Sequence, residues 1–80
     1  MKYEVWAEGF LDQGMEGIPK KAEFIGFGEG ETFAEAASNC IKEKWGEEEW
    51  KRYFYIDKNG NPRAWVRLFD NEADARKSFG

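Results

Sequence analysis

Three glycines at alternate positions, Gly26, Gly28 and Gly30 in "GFGEGETFAEA", stand directly before a helical pattern, where a phosphate-binding loop would be found. Such a loop works because backbone N–H groups converge on an anion at a helix start, and glycine lets the backbone come close. The dinucleotide form needs G-x-G-x-x-G inside a parallel β-α-β unit. Here the spacing is G-x-G-x-G, and Glu29 and Glu31 would repel a phosphate. A local explanation suffices. Thr32 and Glu35 have the T-x-x-E spacing of a capping box, in which each side chain satisfies an orphan N–H at the helix start. Gly26 and Gly28 fall on one face of an extended segment, which predicts a helix passing close above it.

Other reactive groups are scarce. The 80 residues hold no histidine and one cysteine, Cys40, so they supply no Ser-His-Asp or Cys-His pair and no conventional zinc site. Cys40 falls on the apolar side of the predicted helix, where a thiol behaves as a small inert hydrophobe. Glu47, Glu48 and Glu49 read as a solvated helix end, not a magnesium site. The expectation is a non-enzyme with no catalytic residues, no metal and no cofactor.

The elements that would position any binding residues follow from periodicity. "KYEVWAEGF" alternates with period two and predicts a strand. Residues 11–20 carry Gly14, Gly17 and Pro19 and predict a long loop, which could present Met15 and Ile18 to a partner or fold Ile18 back over the sheet. "KAEFIGFGEG" is a second strand. In "TFAEAASNCIKEKW", Phe33, Ala36, Ala37, Cys40, Ile41 and Trp45 share one helical face, with Gly46 as the C-cap. "WKRYFYIDKNGNPRAWVRLF" predicts two strands around an Asn59-Gly60 turn. "DNEADARKSFG" predicts a short helix capped by Asp70 or Asn71. The expected fold is a single α+β domain over residues 1–80. Its order is ββαββα, a four-stranded antiparallel sheet with one main helix on one face and a short C-terminal helix.

Sorting the strands by parity separates two faces. Val5, Ala7, Gly9, Phe24, Gly26, Gly28, Phe54, Ile56, Ala64, Val66 and Leu68 suit the side beneath the helix. The opposite set mixes large aromatics with charges: Trp6, Phe27, Tyr53, Tyr55, Trp65, Arg67 and Phe69, together with Glu4, Glu8, Phe10, Glu23, Ile25, Glu29, Lys51 and Arg63. Two readings of that face stand side by side. Cross-strand aromatic and ionic pairs stabilise a half-wet sheet. Alternatively, Trp6, Phe27, Tyr53, Tyr55, Trp65, Arg67 and Phe69 form a partner-binding patch, since Trp, Tyr and Arg dominate binding hot spots.

Charge narrows the choice of partner. The net charge is −4, and residues 1–40 hold three Lys/Arg against eight Asp/Glu, whereas residues 41–80 hold nine against eight. A generic nucleic-acid binder carries a basic excess. The basic strand-three and strand-four half, with Lys51, Arg63 and Arg67, suits single-stranded nucleic acid or a nucleotide, but the acidic half repels it. A bipolar face fits a protein better, and it would also fit a second copy of itself in a two-fold homodimer. No apolar run approaches a membrane span, no signal peptide opens the chain, and a lone cysteine suits a reducing compartment, so the expected location is cytoplasmic.

Two resemblances attach to these residues. "KYEVWAEGF" followed by "GETFAEAASNCIKE" resembles the start of HicB-type antitoxin domains, where a two-stranded hairpin leads through G-x-T/S-x-x-E-A into a helix. The P-D-L-P-G segment of that family is missing. "KYEVWAEGF", "TFAEA" and above all "WVRLFDNEADARKSFG" are similar to small uncharacterised proteins encoded by phages and prophages of Gram-positive bacteria. That resemblance implies a mobile-element setting in the cytoplasm of a bacterial host. Small non-enzymatic proteins in that setting often bind a host factor, host-defence components included.

Overall fold

The alternating start of the chain forms β1 (Lys2–Ala7), which pairs antiparallel on one side with β4 (Glu23–Glu29) and on the other with β7 (Val66–Phe69). The computed structural model describes residues 1–12 and 18–77. The remaining elements are β2 (Phe10–Asp12), β3 (Ile18–Lys20), α1 (Phe33–Trp45), α2 (Glu47–Tyr53), β5 (Phe54–Ile56), β6 (Pro62–Ala64) and α3 (Glu72–Ala75). The fold is α+β, as expected, but among the described residues the order is ββββααβββα, not ββαββα, and the main sheet has five strands in the order β4-β1-β7-β6-β5, not four. β7 joins its halves: Leu68 and Phe69 pair with β1, while Val66 and Arg67 pair with β6.

α1 covers one face of this sheet. Val5, Ala37, Cys40, Ile41, Ala64 and Leu68 form the buried core, with Ala7, Ile25, Phe33, Trp50 and Phe54 packed against it. The close approach read from the glycines is present: a Cβ at Gly28 would lie 1.9 Å from the Ala36 carbonyl oxygen. Burial pushes the Cys40 thiol above its ordinary value, partly offset by Lys44, so the thiol stays protonated.

The start of α1 is set by Thr32, whose Oγ1 accepts from the Glu35 N–H at 3.2 Å. The box is half made, because Glu35 returns no bond to the Thr32 N–H among the described residues. Removing the remaining half by Thr32→Ala is expected to cost about 1 kcal/mol. Thermal unfolding by circular dichroism would show this as a midpoint lower by roughly 4–8 °C.

Four expectations are corrected. Lys51 and Tyr53 lie on α2, not on a strand. Three glutamates in the first turn and Lys51 and Arg52 in the last complement the helix dipole, and Glu47 meets Lys51 at 3.8 Å. Trp50 and Phe54 are then four residues apart and both reach the core, so helical spacing satisfies a segment that also alternates like a strand.

Residues 11–20 are not all loop, since β2 and β3 pair as a two-stranded ladder from Phe10↔Lys20 to Asp12↔Ile18. Met15 lies outside the described residues. The predicted last strand is divided at Trp65, the single residue between the antiparallel β6 and β7, with Ala64 paired to Val66. Trp65 has φ 70, a left-handed backbone that costs a bulky residue roughly 1–3 kcal/mol. The fourth correction, a shift of parity within β4, bears on the site and is given below.

The Asn59-Gly60 turn is present, with Gly60 at φ 82. Asp57 organises it: its Oδ1 accepts from the N–H groups of Asn59 and Asn61, each at 2.9 Å. The Asn61 N–H, with help from Asn59 and Arg63, holds the Asp57 carboxyl below its ordinary 3.8. A lowered folded value stabilises above the unfolded value, and the benefit disappears as pH falls through the folded one. The midpoint advantage of wild type over Asp57→Asn is therefore expected to be full at neutral pH and to fade below about pH 4. Thermal melts between these limits measure it.

Candidate functional site

The face of the sheet away from α1 owes its composition to one irregularity. β1 and β4 run in register from Lys2↔Glu29 to Val5↔Gly26, and then Trp6 pairs with Phe24. Ile25 is the extra residue of a β-bulge, and every β4 side chain before it changes face. Phe24 therefore leaves the helix side for the open side, while Glu23 and Ile25 do the opposite. Ile25 packs on the core, and Glu23 sits opposite Ala7.

The result is an aromatic stripe across three strands. Phe69 of β7 lies opposite Trp6 of β1. Trp6 meets Phe24 with ring centroids 5.1 Å apart, and Phe24 meets Phe27 at 5.3 Å. A cation closes each end: Lys2 Nζ is 4.6 Å from the Phe27 ring centre, and the Arg67 guanidinium is 4.9 Å from that of Phe69. Phe24 and Phe27 are 42% and 53% exposed, whereas Trp6 and Phe69 are half-buried, so the stripe is most open to solvent at its β4 end. Beside it run Tyr55, Arg63 and Arg67, successive cross-strand partners on β5, β6 and β7.

Acids accompany the cations. Lys2 faces Glu29 across the ladder, Arg63 lies 3.7 Å from Asp57, and Glu4 Oε1 accepts from the Trp6 indole N–H at 2.8 Å. α3 rims the β1–β7 end, where Glu8, Arg67, Phe69, Asp74 and Lys77 line a cleft of about 360 Å³. Asn71 caps α3 by accepting from the Asp74 N–H at 2.8 Å. The Asn71 amide bond, and Lys77 at 3.1 Å, hold the Asp74 carboxyl below its usual range.

Comparison with protein-family models, curated proteins and solved structures gives no match.

Of the seven residues singled out by parity, Trp6, Phe27, Tyr55, Arg67 and Phe69 share the open face. Tyr53 and Trp65 do not join them. They stack on each other, with centroids 4.4 Å apart and planes inclined by 28°. Trp65 lines a different cleft, with Ala7, Glu23, Trp45, Ala64 and Val66. Parity missed Phe24 because a bulge leaves no mark in the alternation itself. The adjacent Gly26 was the available signal, since a glycine inside a strand often accompanies a bulge. Among the described residues no three His, Cys, Asp or Glu side chains gather as a metal site, and no helix is long and apolar enough to cross a membrane.

Proposed function

We propose that the protein is a non-enzymatic binding module, encoded by a phage or another mobile element. It modulates a host factor, such as a host-defence component, by docking that protein on the open face of its sheet. The observation that carries this reading is the partly exposed stripe of Phe69, Trp6, Phe24 and Phe27 with a cation at each end. Aromatic anchors with an arginine at the margin are the usual energetic centre of a protein interface. The resemblance to small phage and prophage proteins supports the cytoplasm of a bacterial host as the setting.

A protein partner suits this face better than a phosphate chain, because Glu29, Glu4, Glu8 and Asp57 stand beside its cations. The row Tyr55, Arg63, Arg67 favours the second reading, single-stranded nucleic acid or a nucleotide, on the β5–β7 half. A third reading is a homodimer, since the open face is acidic toward β4 and β1 and basic toward β7 and β6.

The test is affinity capture from a Gram-positive bacterial lysate with wild type and a Phe24→Ala/Phe27→Ala variant. The eluates are read by mass spectrometry and for nucleic acid. A specific protein retained by wild type and lost with the variant supports the reading. Captured nucleic acid, released steeply by salt, would replace it with the second. Equal eluates from both proteins would remove the stripe from consideration, and a dimer by light scattering that the variant abolishes would favour the third.

A further inference from the structure

Of the three tryptophans that the open face does not use, Trp50 packs on the core and the other two share a cleft. Trp45, at the end of α1, and Trp65, at the β6–β7 turn, line one cleft of about 420 Å³ with Ala7, Ala64, Val66 and Glu23. That volume lies within the range of side-chain and small-ligand sites. Four observations converge on its chemistry.

Trp65 is 71% exposed, although its backbone is in the left-handed region. The fold thus accepts a strained turn that keeps a large ring in solvent, and such outliers cluster at ligand sites. One face of that ring is stacked on Tyr53, and the Arg52 guanidinium lies 5.9 Å from the Tyr53 ring centre, so a cation already stands beside this aromatic pair. The indole N–H groups of Trp6 and Trp50 are bonded to Glu4 and Ser38. Those of Trp45 and Trp65 have no partner among the described residues. Finally, Glu23 is the one ionisable residue lining this cleft, and its carboxylate has no ion pair among the described residues. Lys44 lines the adjoining cleft with Glu23 and Trp45 but forms no salt bridge to Glu23.

We infer that this cleft binds an arginine side chain of a partner polypeptide. The guanidinium lies flat on the free face of Trp65 and pairs with the Glu23 carboxylate, while its methylene stem packs on Trp45, Ala64 and Val66. Arginine fits better than lysine because its planar head stacks on an indole and hydrogen-bonds a carboxylate at the same time. The site lies apart from the aromatic stripe and stands whether or not that stripe binds a partner.

The test titrates the ¹⁵N-labelled full chain with acetyl-Gly-Arg-Gly-amide. The counterpart with citrulline, which is neutral, and free methylguanidinium serve as comparisons. The four indole N–H signals report position, and Trp→Phe variants assign them. Saturable shifts are expected at Trp45 and Trp65, with Trp6 and Trp50 unmoved. The citrulline peptide and the exposed, isosteric Glu23→Gln variant should each bind about tenfold more weakly. Trp65→Gly, which removes the ring while tolerating the backbone angle, should abolish the shifts.

Equal binding of the citrulline peptide, indifference to Glu23→Gln, or shifts at Trp6 and Trp50 would each overturn the assignment. So would the absence of saturable shifts. Methylguanidinium binding as tightly as the peptide would make the ligand a free organic cation and would overturn the polypeptide partner.

Discussion

Alanine at position 28 is expected to destabilise the protein more than any other single methyl group added to it. Gly28 lies on the helix side of β4, where a Cβ would stand 1.9 Å from the carbonyl oxygen of Ala36 and 3.1 Å from Cys40 Cβ. A flexible side chain can swing aside, as Lys44 can at Gly26, but a backbone oxygen in the second turn of α1 cannot. The helix must lift from the sheet, uncovering Ala36, Ala37 and Cys40, all of them buried. Overpacking costs typically 1–3 kcal/mol, and this site belongs at or above the upper end, about 3 kcal/mol. A domain of this size has roughly 4–12 kcal/mol in total. The midpoint of thermal unfolding should fall by about 12–24 °C. A drop below about 4 °C, equivalent to less than 1 kcal/mol, would mean that α1 does not sit against β4 as described.

Ile41→Ala should produce a loss of comparable size. Ile41 is fully buried and belongs to the core cluster with Val5, Ala37 and Leu68. Its truncation removes buried methyl groups and leaves a cavity that α1, held against β4 by close packing, cannot collapse into. The expected cost is about 2–5 kcal/mol, read from guanidinium unfolding curves. Phe27→Ala is the informative contrast. The Phe27 ring is half exposed and among the described residues meets the Phe24 ring and the Lys2 ammonium, so about 1 kcal/mol or less is expected. If Phe27→Ala proved as damaging as Ile41→Ala, the stripe would be structural bulk, and lost binding in its variants could not be assigned to the face.

Where the glycines lie and what they do was legible, because close approach of a helix demands a missing side chain at spaced positions on one strand face. So were α1 with its threonine cap, the Asn59-Gly60 turn, and five of the seven residues on the open face. These features depend on residues near one another in the chain. The failures share the opposite character. The segment from Trp50 to Ile56 reads equally well with period two and with spacing i, i+4; it is helical up to Tyr53, where acids at the start and bases at the end complement the helix dipole and the Trp50 indole N–H docks on Ser38 of α1. Phe24 changed face because pairing with β1 skips Ile25, and Trp65 left the sheet because β6 turns back on itself within one residue.

By itself the sequence determined the inventory: no histidine, one unpaired cysteine, aromatic bulk, an α+β class and a charge difference between its halves. Only the tertiary structure decided which aromatics meet. A one-residue shift of register carries a side chain through the sheet, and the energy that selects it comes from contacts between segments distant in the chain. The stripe of Phe69, Trp6, Phe24 and Phe27, and the separate pairing of Tyr53 with Trp65, exist because those distant contacts outweigh local alternation.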